Sequence, residues 1–191
     1  MINQQDYRGI YIHIPFCKAK CNYCDFYSVP LTAADWLEKY TRGLAAEIEQ
    51  RASSYDGQPI HTVYFGGGTP SLLTPAQIER LLTKLDQAFG LNSHMEITME
   101  ANPATIDFKY LRGCRLAGIN RLSLGVQSFV DRELRLLGRL HSAQDSEKAV
   151  RDAYAAGFHN INLDLIYGIP GQTISDWVFN LRQAMALDPQ H

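Results

Sequence analysis

The sequence predicts an α/β fold in which a parallel sheet is built from five successive βα units. Three observations carry this. Five short runs of strand-like alternation recur along the 191 residues. Each is followed by a stretch of helical periodicity rather than a hairpin turn. The chemically unusual residues fall just after these runs. Strands separated by helices pair in parallel through right-handed crossovers. A doubly wound open sheet and part of a (β/α) barrel both fit, and both place chemistry at the C-terminal ends of the strands.

The first strand is expected over 8–14 (RGIYIHI), with a cysteine-rich loop after it. Thr32 reads as an N-cap, and Leu37, Tyr40, Leu44 and Ile48 follow at helical spacing. The second strand, 60–65 (IHTVYF), is expected to end at Gly66–Gly68. Thr74-Pro75-Ala76-Gln77 has the form of a capping box with proline at the first helical position. Ile78, Leu81, Leu82, Leu85 and Phe89 make one apolar face behind it. In the third strand, 94–100, Met95, Ile97 and Met99 alternate with Glu96, Thr98 and Glu100. A helix over 107–117 leads to a fourth strand at 120–126, and a helix from Ser142 to Ala156 leads to a fifth at 160–166. A last helix is expected over 173–187.

Composition excludes several classes. The net charge of −2 lacks the basic excess of a broad nucleic-acid footprint. No apolar run approaches the roughly 18–20 residues that span a bilayer. The N-terminal segment has neither the charged start nor the apolar stretch of a signal peptide. Three of the four cysteines, Cys17, Cys21 and Cys24, crowd into eight residues, which suggests a metal site in a reducing, cytoplasmic compartment rather than disulfides. Thiolates hold iron–sulfur clusters or zinc. Structural zinc usually takes two separated ligand pairs, and Cys114 lies alone in a predicted helix, where it reads as a small core residue. Three local thiolates suit three corners of a 4Fe–4S cubane, leaving one iron open.

The spacing Cys17-x3-Cys21-x-Tyr23-Cys24 resembles the signature of the radical S-adenosylmethionine (SAM) superfamily. That resemblance implies a partial (β/α)6 barrel in which SAM chelates the open iron and is cleaved to a 5′-deoxyadenosyl radical. YIHIPFC, GGGTP, EANP, GVQSF, LGRLH and DLIYGIPGQT follow in order from Tyr11 to Thr173. Together they resemble the oxygen-independent coproporphyrinogen III oxidase (dehydrogenase) group and the HemW haem chaperones.

Site residues are carried over on those motifs. The resemblance implies that Cys17, Cys21 and Cys24 ligate the cluster and that Tyr11, Tyr23, Gly67, Gly68, Thr69 and Glu100 contact SAM. Gln127, Arg139 and Asp164 match positions that contact a second SAM in the dehydrogenases; Arg139 suits a carboxylate partner. No residue is assigned as catalytic. His13 is expected to point away from the neighbours of Tyr11, and neither His13 nor His141 is taken as a haem ligand.

The dehydrogenases extend the motif to a further cysteine, where this chain has Phe26, and they carry a longer N-terminal extension. Both departures resemble the HemW branch. The implied function is to bind haem and pass it to an acceptor protein, with coproporphyrinogen III decarboxylation as the alternative. Residues 1–191 are expected to hold an incomplete radical SAM core, five of six βα units, without the family's C-terminal domain. An exposed apolar barrel interior and an unpaired edge at the fifth strand are expected to follow, giving marginal stability unless a partner supplies the missing strand.

Overall fold

The computed structural model describes residues 7–33, 35–92 and 94–191. Five strands form one parallel sheet: β1 (Gly9–Ile14), β4 (Thr62–Gly67), β5 (Glu96–Ala101), β6 (Arg121–Gln127) and β7 (Ile161–Leu165), paired in that order. A doubly wound sheet reverses its strand order at a switch point, and this order never reverses. The helices α1 (Asp35–Ala52), α2 (Pro75–Phe89), α3 (Phe108–Ala117) and α5 (Ala143–Ala155) pack each on the next. The last helix, α6 (Ile174–Ala186), follows β7. This is a partial (β/α) barrel.

The local signals operate as expected at most helix starts. Thr74 and Gln77 form a reciprocal capping box, as do Ser142 with Asp145 and Thr173 with Asp176. Thr32 is a correction: α1 begins at Asp35, so the cap position is residue 34, outside the described residues. β4 also runs on into Gly66 and Gly67 instead of ending before them. Three elements had no strong sequence signal. They are the short helix α4 (Asp131–Leu136) and the two-residue strands β2 (Phe16–Cys17) and β3 (Val29–Pro30). β2 and β3 pair in parallel and close the base of the cysteine loop, with Leu31 N–H donating to Cys17 O at 2.8 Å.

The two faces of the sheet differ in chemistry. Ile14, Val63, Phe65, Met99, Leu122, Leu124 and Ile161 are fully buried with Ile78, Leu81, Leu85, Leu111 and Val150 of the helices. The opposite face carries Tyr11, Tyr64, Thr98, Glu100, Ser123, Asn162 and Asp164, brought level by the registers Tyr11↔Tyr64, Tyr64↔Thr98, Glu100↔Ser123 and Ser123↔Asn162. The expected exposed apolar interior is therefore corrected: the inward face is polar, because the strands alternate and the helices take the apolar set. The edge of β7 is partly satisfied as well. Leu163 N–H donates to His191 O and His191 N–H to Ile161 O, a parallel pair that brings residues 190–191 alongside β7.

Candidate functional site

A cavity of about 390 Å³ opens at the C-terminal ends of the strands. Eleven of the twelve residues singled out above line it: Cys17, Cys21, Tyr23, Cys24, Gly67, Gly68, Thr69, Glu100, Gln127, Arg139 and Asp164. They come from the cysteine loop, four strand ends and, for Arg139, the segment after α4. Tyr11 is the exception. It lies mid-strand in β1, its ring stacked on Tyr64 and its hydroxyl 3.1 Å from His13 Nδ1.

His13 is a further correction. Tyr11 and His13 are two residues apart in a strand and share a face, so they meet rather than diverge. His13 Nε2 lies 3.0 Å from Tyr27 O. A carbonyl only accepts, so Nε2 is the donor in that contact.

The glycine tract is dictated by close approach. Gly67 has φ +116, and a Cβ there would come within 2.7 Å of the His13 ring. A Cβ on Gly68 would stand 2.8 Å from Phe16 O and 3.0 Å from Cys17 Sγ. The missing side chains therefore make room first for β1 and the cysteine loop. Gln127 takes φ +67, a left-handed conformation costly for a non-glycine residue, at a register shift between β6 and β7.

Polar groups converge on the floor. Glu100 Oε1 accepts from the Tyr64 hydroxyl at 2.8 Å and Oε2 from Gly67 N–H at 3.1 Å. Burial pushes the Glu100 carboxyl above its ordinary range, against the opposing effect of those two bonds. Burial, with the Glu100 charge beside it, also raises the Tyr64 phenol. Asp164 accepts from Ser123 Oγ at 2.9 Å and from Asn162 Nδ2 at 2.7 Å. Tyr64 and Ser123 line the cavity and were missed in the sequence; strand alternation carried across the register finds both.

The sulfurs receive donors. Thr69 Oγ1 donates to Cys17 Sγ at 3.4 Å, and Arg139 Nη1 to Cys21 Sγ at 3.5 Å. Arg139 Nη1 also reaches the Tyr23 hydroxyl at 3.5 Å, and Nη2 donates to Gly125 O at 2.7 Å. Burial lifts the Tyr23 phenol to about 12 despite Arg139. Hydrogen bonds into sulfur, one from a cation, suit thiolates. Among the described residues no three His, Cys, Asp or Glu side chains converge as ligands of a single ion. Three cysteine side chains lining one cavity are a donor set that suits an iron–sulfur cluster.

His141 and Cys114 are buried and do not line the cavity. His141 is buried, and its Nε2 donates to Val126 O at 3.1 Å while Nδ1 has no partner. Burial and then the Arg139 charge lower its pKa to about 4. Cys114 is fully buried, and burial raises its thiol to about 11. Among the described residues no helix is long and apolar enough to cross a membrane.

The heme chaperone HemW of Haemophilus influenzae is 39% identical over 187 residues, covering 96% of this chain and 49% of that protein. HemW of Synechocystis sp. is 42% identical over 186 residues, covering 95% and 45%. The chain thus spans about half the length of the curated relatives it matches. The Escherichia coli structure described as coproporphyrinogen III oxidase (HemN), a radical SAM enzyme, superposes with a TM-score of 0.88 at 35% identity, covering 96% of this chain and 42% of that one. Methylornithine synthase superposes at 0.67 with 20% identity, a likeness of fold alone. Residues 11–183 match the radical SAM superfamily, which implies a 4Fe–4S cluster and SAM, and the chain belongs to that superfamily.

Proposed function

We propose that residues 1–191 form an incomplete radical SAM core of a HemW-like haem chaperone, a protein that binds haem and hands it to an acceptor in a reducing, cytoplasmic setting. Cys17, Cys21 and Cys24 hold a 4Fe–4S cluster. Tyr23, Gly67, Gly68, Thr69 and Glu100 bind SAM beside it, with Tyr11 supporting that wall through Tyr64. Gln127, Arg139 and Asp164 extend the polar floor for the rest of SAM or for a second molecule. When bound, the cluster supplies electrons for reductive chemistry on SAM; the residues themselves bind and orient. Glu100 and Asp164 offer carboxylate acceptors suited to ribose hydroxyls or an amino group, and Arg139 a cation for a carboxylate.

The observation that favours the chaperone over the dehydrogenase is Phe26. It lines the cavity, 70% exposed, where the dehydrogenase motif has another cysteine. The dehydrogenase reading draws on the close superposition with the HemN structure. Two incubations of the reconstituted protein under anaerobic conditions separate them. Haem titration is expected to give a saturable, protein-dependent Soret band. Coproporphyrinogen III with SAM and a reductant is expected to return unchanged. Conversion to protoporphyrinogen, or no Soret band, overturns the chaperone reading.

A further inference from the structure

The segment joining α4 to α5 grips the cysteine loop at a residue that ligand binding leaves unexplained. Asn22 lies between Cys21 and Tyr23. Its backbone N–H donates to Leu137 O at 3.0 Å, and its side-chain Nδ2 donates to Leu136 O at 2.9 Å. Both carbonyls belong to the end of α4, where the last helical carbonyls have no partner within the helix.

The next residue makes the contact possible. Gly138 has φ +71, and a Cβ there would come within 3.2 Å of Asn22 Cγ and Oδ1 and 3.3 Å of its backbone nitrogen. Arg139 follows and reaches Cys21 Sγ and the Tyr23 hydroxyl. Three consecutive loop residues are thus held by Leu136, Leu137 and Arg139 from across the cavity, with Gly138 leaving the room between them. The loop is also tied at its base, where β2 meets β3, and at the Tyr27 carbonyl, which accepts from His13 Nε2; neither tie reaches the Cys21–Cys24 stretch.

We propose that Asn22 is a positioning residue: its two bonds to the C-terminal carbonyls of α4 hold the cysteine loop in ligating geometry before a cluster binds. An untied loop loses conformational freedom when its three sulfurs are fixed, and that cost weakens metal retention. A loop tied beforehand has already met it. Partners that orient ligands this way typically change metal affinity by roughly 10- to 100-fold.

The proposal rests on the cluster reading, and the test separates the two. Asn22→Asp keeps the shape and the backbone N–H but sets a carboxylate against the Leu136 carbonyl. Gly138→Ala forces a side chain into Asn22. Both are reconstituted with iron and sulfide and challenged with a chelator, and the decay of cluster absorbance is followed. Cluster loss roughly tenfold faster than wild type is expected in both. The reduced Asn22→Asp cluster is expected to show an altered EPR spectrum, with an unchanged melting temperature of the apo-protein. Limited trypsin digestion of apo-protein is expected to cut after Lys18 and Lys20 sooner in Asn22→Asp. Wild-type rates of cluster loss in Asn22→Asp overturn the proposal alone. A wild-type protein that takes up no iron and sulfide overturns the cluster reading with it.

Discussion

The Tyr64 hydroxyl donates to Glu100 Oε1 at 2.8 Å, and Glu100 lies two residues beyond Thr98, the register partner of Tyr64. Neighbouring strands thus place a phenol and a half-buried carboxylate on one wall, while Gly67 N–H holds the other carboxylate oxygen.

Glu100→Ala is expected to weaken SAM binding by roughly 10- to 100-fold, the worth of a hydrogen bond to a charged group. Equilibrium dialysis with labelled SAM measures it. Burial raises the Glu100 pKa and the Tyr64 bond lowers it. Affinity that depends on the carboxylate form therefore falls with falling pH, above the ordinary carboxylate range. Tyr64→Phe removes a lowering influence and shifts that fall to higher pH. An affinity flat across the range in both proteins would contradict this.

Cys21→Ala is expected to abolish the EPR signal of the reduced protein and most bound iron and sulfide. Cys114→Ala leaves both unchanged, because Cys114 is sealed in the core. Anaerobic metal and sulfide analysis distinguishes the two variants.

His141 predicts an acid-side loss of stability. Burial holds its folded pKa at about 4, below the ordinary histidine value of 6.5. The unfolded chain therefore binds more protons between those values, and stability falls as pH drops through that window. The loss is at most roughly 3 kcal/mol. Denaturant melts of wild type and His141→Gln at several pH values measure it; the variant is expected to show the shallower dependence.

Asn180 is fully buried in α6. Its Oδ1 accepts from Phe129 N–H and Ser128 Oγ, and its Nδ2 donates to the buried Glu133 carboxylate. Asn180→Ala leaves the buried Phe129 N–H without its acceptor, while Ser128 Oγ still donates to Glu133 Oε2 at 2.6 Å, and is expected to cost about 1–3 kcal/mol in urea unfolding.

Much of the site was legible because its signals are local. Cysteine spacing, the glycine tract and the strand-end positions of Glu100, Gln127 and Asp164 are properties of short segments, and βα alternation sends strand ends to one side of the sheet. Capping boxes at Thr74, Ser142 and Thr173 are likewise written in four consecutive residues. Pairings across distance were not legible. The contact of Tyr11 with His13 follows from alternation, but the Tyr64–Glu100 bond needs the β4–β5 register, and Asn22 meets Leu136 across 114 residues. Nor did the residue pattern decide which face of the sheet turns inward. Packing decided it: the helices bury the apolar alternate residues, so the polar set, with the cysteines above it, is left to line the cavity.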